Sequence, residues 1–145
     1  MDIRMSSPDL TDADRAAVNA VVQTPNLSMG PQIKAFEAAF CQLTGAQHAI
    51  GVNSGTAGLH LCIRAAGVDI NDIVITTPFS FVSSTNVILF EKAIPVFVDA
   101  EPITGNIDTD QLAQAVEDLS RGGESARRLL PRILPPVNQG PLNRV

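Results

Sequence analysis

Three apolar runs of strand length, residues 48–53, 73–77 and 94–99, alternate with amphipathic helical patterns, and this alternation restricts the fold more than any other feature of the chain. Strands separated by helices need crossover connections, which run right-handed and lay the strands parallel in one α/β sheet. Ligands of such sheets gather at the carboxyl ends of the strands. Here those ends hold the Ser54–Thr56 turn, the segment from Thr77 to Phe81, and Asp99.

The helical segments carry local start and stop signals. Thr11 caps a first helix with Asp12 and Asp14 in its first turn and a stripe of Val18, Val21 and Val22, and Pro25 ends it. After the loop from Asn26 to Gly30, Pro31 suits the first position of a second helix bearing Phe36, Phe40 and Leu43, which Gly45 stops. His48 to Asn53 is expected as a short buried strand. A helix with Leu59, Cys62, Ile63 and Ala66 follows, ended by Gly67. Ile73 to Thr77 is the apolar run of a strand covered on both faces. Ser83, Ser84 or Thr85 starts a helix through Val87, Ile88 and Phe90, and Ile94 to Asp99 forms a third strand. Asp108 with Gln111 opens a helix carrying Leu112, Ala115, Val116 and Leu119.

The turn Gly51-Val-Asn-Ser-Gly-Thr-Ala-Gly-Leu59 joins a strand to a helix with small residues. A helix start leaves N–H groups unpaired and carries roughly half a positive charge, so it suits a phosphate. Gly55 lets the backbone come close, and the Ser54 and Thr56 hydroxyls add donors. An ordinary turn with Ser54 as N-cap explains the same residues. Gly51, Gly55 and Gly58 depart from the Gly-x-Gly-x-x-Gly spacing of dinucleotide sites, and no Gly-Lys-Ser/Thr follows. Phe79 and Phe81 either pack in the core or sandwich a planar ring. His48 and His60 lack a Ser or Cys partner in sequence, and no metal-ligand spacing or hydrolase triad is present.

Charge divides the chain near Ser120. Residues 1–120 hold five basic and fourteen acidic side chains, whereas residues 121–145 hold five arginines against Glu124 alone. That basic stretch has four prolines and no aromatic residue, so a disordered or poorly packed extension is expected over 120–145. Cys41 and Cys62 are expected as reduced, partly buried thiols. Met1-Asp-Ile-Arg4 shows no apolar signal segment and the apolar runs are short, so a cytoplasmic protein is expected, without membrane or nucleic-acid partners.

Leu27-Ser-Met-Gly-Pro31, Phe36-Glu37, Asn53-Ser-Gly-Thr-Ala57, Thr77-Pro-Phe-Ser-Phe-Val82 and Pro95-Val-Phe-Val-Asp99, in this order and spacing, resemble the amino-terminal part of the DegT/DnrJ/EryC1/StrS sugar aminotransferases. The resemblance covers roughly residues 10–119 and implies part of the fold-type-I pyridoxal phosphate (PLP) transferase large domain, an incomplete α/β fold with a mostly parallel sheet and flanking helices. It implies PLP as cofactor, a nucleotide-sugar substrate, an amino-acid donor and a homodimer. By match to the family motif, Gly55, Thr56 and Ala57 hold the PLP phosphate and Phe81 stacks on the ring. Ser28 to Pro31 match a loop on the sugar side.

PLP transamination also needs a lysine and a carboxylate on the ring nitrogen. Lys34 and Lys92 are the chain's lysines, and neither matches the family's catalytic position, so no catalytic residue is assigned. In that fold the first strand does not lie beside the second, so apolar faces are expected to stay exposed. These features suggest residues 1–119 as an inactive fragment with a basic extension of frameshifted or truncated origin. A non-catalytic partner of a full-length homologue and a small phosphate-binding α/β domain are the rival readings.

Overall fold

Thr11 and Asp14 open the first helix by capping each other. In the computed structural model, which describes residues 6–132, Thr11 Oγ1 accepts from the Asp14 N–H at 3.3 Å and the Thr11 N–H donates to Asp14 Oδ2 at 2.7 Å. This satisfies donors at the start of α1 (Asp12–Val22). Helix α2 (Pro31–Thr44) begins on proline and ends at Gly45, which donates its N–H to the Cys41 carbonyl at 2.9 Å and turns the chain out of the helix with a φ of 74°. Both helices belong to Met1–Gly51, the first of two compact units, the second being Val52–Val145.

The expected strand at 48–53 does not form; Ile50 is 78% exposed and Val52 43%. A strand requires a hydrogen-bonded neighbour, and none of the described strands pairs with this segment. Its backbone is held from α2 instead, where Glu37 Oε1 accepts from the Gly51 N–H at 2.8 Å.

The second unit contains α3 (Gly55–Ala65), β1 (Ile73–Thr76), α4 (Ser83–Phe90), β2 (Ile94–Phe97), α5 (Thr109–Arg121) and α6 (Gly123–Leu129). The β1 and β2 strands pair in parallel with Ile73 opposite Ile94 and Ile75 opposite Val96, and α4 lies in the crossover. Two-residue alternation puts these four side chains on one face. Leu119 of α5 and Ala126 of α6 join Ile73, Ile94 and Val96 in the core. Val87 and Ile88 bury the inner face of α4, which contacts both strands. Of β1 only Ile73 is buried, contrary to the expected cover on both faces, because the described sheet has two strands.

Residues 121–130 correct the expectation of a disordered or poorly packed extension. After Gly122, α6 buries Ala126 and sets Leu129 and Leu130 against the core. Ala126 and Leu129, three residues apart, share one face of the helix, and Leu130 follows as its extended C-cap. Residues 133–145 of the expected extension lie outside the described residues. Cys41 is half-buried and Cys62 is exposed rather than partly buried; both are free. Among the described residues no helix is long and apolar enough to cross a membrane.

Asp108 caps α5, its Oδ1 accepting from the N–H groups of Asp110 and Gln111, each at 3.0 Å. The Gln111 backbone and side-chain donors, then the Asp110 N–H, hold its carboxyl below the usual range. A carboxyl lowered in the folded state contributes stability above its unfolded pKa and loses it as pH falls through the folded value. Melting temperature is therefore expected to drop below about pH 4, and Asp108→Asn, which keeps a cap but not the charge, should flatten that slope in thermal melts.

Candidate functional site

Ser54 sets the geometry of the α3 start. Its Oγ accepts from the Ala57 N–H at 3.1 Å and its carbonyl from the Gly58 N–H, also at 3.1 Å. Among the described residues this leaves the Gly55 and Thr56 N–H groups without a protein acceptor. Of the three residues expected at a phosphate, Gly55 and Thr56 thus present unpaired amides, whereas the Ala57 amide is already engaged. The Ser54 oxygen serves as cap.

Space above this turn is open. A Cβ built on Gly55 meets nothing within 4 Å, and the residue begins a right-handed helix, so neither packing nor conformation requires glycine. Gly58 differs, since its Cβ would rest 3.5 Å from Val52 Cγ2. Two unpaired donors at the positive end of a helix, beneath open space, fit a phosphate.

Phe79 and Phe81 are 71% and 76% exposed, which removes core packing as their explanation. The Phe79 ring lies beside Gly105, where a Cβ would approach it to 3.2 Å. That loop is folded around Glu101, whose carboxylate accepts from the Ile103 and Thr104 N–H groups at 2.8 Å each. These bonds, with the Thr104 hydroxyl, hold the Glu101 carboxyl below its ordinary range. Phe81 is anchored to α4, its carbonyl accepting from the Ser84 N–H at 3.1 Å. Because α3 packs on α4, the open amides and Phe81 belong to one packed helix pair. Asp99 is exposed and accepts from the Ala100 N–H at 2.8 Å. In the first unit Met29, with φ 52° and 82% exposure, precedes Gly30, where a Cβ would lie 2.6 Å from the Asn26 carbonyl oxygen. Lys34 lies in α2 and Lys92 follows α4.

One cluster was not foreseen. Glu91, the C-cap of α4, accepts from Arg64 Nη1 at 2.9 and 3.2 Å and meets His60 Nε2 at 2.5 Å. The His60 bond, then Arg64, holds the Glu91 carboxyl below its usual range against the opposing effect of desolvation. His60 and Arg64 share an i, i+4 face. Their acidic partner is 27 residues beyond Arg64, so no local pattern reveals it.

Residues 8–122 match the model of the DegT/DnrJ/EryC1/StrS aminotransferase family. The spore coat polysaccharide biosynthesis protein SpsC of Bacillus subtilis is 42% identical over 99 residues, covering 68% of this chain and 25% of SpsC. The structure of Helicobacter pylori PseC, an aminotransferase involved in pseudoaminic acid biosynthesis, matches with TM-score 0.69 and 35% identity over 79% of this chain and 31% of PseC. Spr1654 of Streptococcus pneumoniae, described as a sugar aminotransferase in its PLP form, matches with TM-score 0.74 and 32% identity over 80% of this chain and 30% of its own. Its PMP form also matches. The chain therefore spans less than a third of the length of these relatives. The parallel β1–β2 pair and its helices form part of the α/β fold of PLP aminotransferases. Sequence relatives, solved structures and family model coincide, and the chain belongs to the DegT/DnrJ/EryC1/StrS aminotransferase family.

Proposed function

We propose that residues 1–119 are the amino-terminal part of the large domain of a PLP-dependent aminotransferase that acts on a keto group of a nucleotide-linked sugar, with an amino acid as donor. The complete enzyme is read as a cytoplasmic homodimer, and residues 120–145 as a basic extension to this part. The carrying observation is the pair of unpaired amides at Gly55 and Thr56 beneath open space, inside the stretch that matches the family. Bound PLP supplies the electron sink for amino transfer. Gly55 and Thr56 would bind its phosphate through their N–H groups, Ala57 would complete the turn, and the Phe81 face would orient the ring. Lys34 and Lys92 do not match the family's catalytic lysine, so the chain alone is read as inactive.

The test is amide NMR of the chain with pyridoxamine 5′-phosphate, which has ring and phosphate but no aldehyde to react with lysines. Shifts are expected at Gly55 and Thr56 with this ligand and with inorganic phosphate, but not with pyridoxamine. No response at these amides would refute the phosphate site. After PLP and borohydride, stoichiometric label on Lys34 or Lys92 would refute the reading as an inactive part.

Exposed Phe36 and Phe40 on α2, 55% and 47% accessible with ring centroids 5.5 Å apart, favour a second reading as a non-catalytic partner of a full-length homologue. Stable co-purification with a lysine-bearing homologue, lost in Phe36→Glu, would distinguish it.

A further inference from the structure

We propose that Glu91 is a positioning residue, whose carboxylate fixes α3 against α4 and so sets the phosphate donors of Gly55 and Thr56 relative to the Phe81 ring. This inference rests on the cofactor reading above. The two proposed contacts belong to different helices. The Gly55 and Thr56 amides are the first turn of α3 and move with it. Phe81 moves with α4, because its carbonyl accepts from the Ser84 N–H at 3.1 Å and the Ser80 and Ser84 hydroxyls lie 2.8 Å apart. The Val82 carbonyl adds bonds from the Thr85 and Asn86 N–H groups at 3.1 and 3.0 Å. A ligand gripped by phosphate and ring together therefore reads the placement of one helix against the other.

Helices α3 and α4 lie against each other, and apolar burial, being non-directional, sets axial position and rotation loosely. Charge-assisted hydrogen bonds are directional. Glu91, with its side chain only 11% exposed, engages Arg64 and His60 at once. These two residues lie one turn apart on α3, about 6 Å along its axis. A single carboxylate bridging them opposes both sliding and rotation. Phe90 adds an edge-on contact to the His60 ring, with centroids 5.3 Å apart.

The experiment compares two ligands in Glu91→Ala and in the shape-preserving Glu91→Gln, using the amide titration above. Inorganic phosphate touches α3 alone, whereas pyridoxamine 5′-phosphate spans both helices. Affinity for the latter is expected to fall about five-fold in Glu91→Ala, the worth of one aromatic contact, with inorganic phosphate unchanged and Glu91→Gln intermediate. In a Phe81→Ala background the Glu91 substitution should then have no further effect. Equal weakening of both ligands, or additivity with Phe81→Ala, would overturn the proposal and leave Glu91 a general stabiliser.

Residual dipolar couplings of the ligand-free chain supply an independent readout. The α3–α4 orientation should change in both Glu91 variants while couplings within each helix are kept. An unchanged orientation overturns the proposal. If pyridoxamine 5′-phosphate does not reach Gly55 and Thr56 in the unsubstituted chain, the cofactor reading fails, and the Glu91 proposal fails with it as a statement about the site. If Glu91→Ala does not fold, Glu91→Gln carries both measurements.

Discussion

Val96→Asp is expected to abolish the cooperative unfolding transition of the second unit, seen as loss of amide dispersion and of the urea-induced change in circular dichroism. Val96 is 0% exposed and packs with Ile73, Ile94, Leu119 and Ala126, a cluster without a cation. An unpaired carboxylate buried there costs several kcal/mol. A whole domain has only about 5–15 kcal/mol of stability to lose. Ile94→Ala removes apolar volume without adding charge and should cost about 2–5 kcal/mol, leaving a transition at lower urea. A Val96→Asp chain that unfolds at the original urea midpoint would show that this cluster does not hold the unit together.

Gly55→Asp should separate folding from ligand binding by moving them in opposite directions. The open space at Gly55 accepts a side chain, and a carboxylate in the first helical turn is favourable to the α3 dipole by about 0.3–1 kcal/mol. Melting temperature should therefore hold or rise. The same carboxylate occupies the approach to the Gly55 and Thr56 amides and repels a phosphate. Affinity for inorganic phosphate and for pyridoxamine 5′-phosphate is expected to weaken at least about ten-fold, or about 1.4 kcal/mol. Retained affinity would place the anion elsewhere, whereas a collapsed melting temperature would show that this glycine serves the fold.

Legibility of the sequence followed the range of the interactions involved. The caps at Thr11, Ser54 and Asp108, proline at the start of α2 and glycine at its end lie within a few residues of what they satisfy. The structure has each where the pattern placed it. The same holds for β1 and β2, whose apolar runs pair in parallel across α4. Residues 48–53 also form a short run with apolar Ala49, Ile50 and Val52 yet no strand, since pairing depends on a neighbour that the pattern cannot supply. At the candidate site, the Gly55–Ala57 turn and Phe81 were legible as types of residue in a recognised order. That both aromatic side chains are exposed was decided by the tertiary structure.

The sequence by itself determined the starts of α1, α2, α3 and α5, the parallel strand–helix–strand unit and the family, because local hydrogen bonding and motif order are properties of the chain. Tertiary structure alone decided three matters: that 48–53 is not a strand, that α6 closes the core with Ala126, and that Glu91 joins His60 to Arg64. Each depends on groups far apart in sequence meeting in space. Apolar burial and ion pairing act on that distance, and residue order does not encode it.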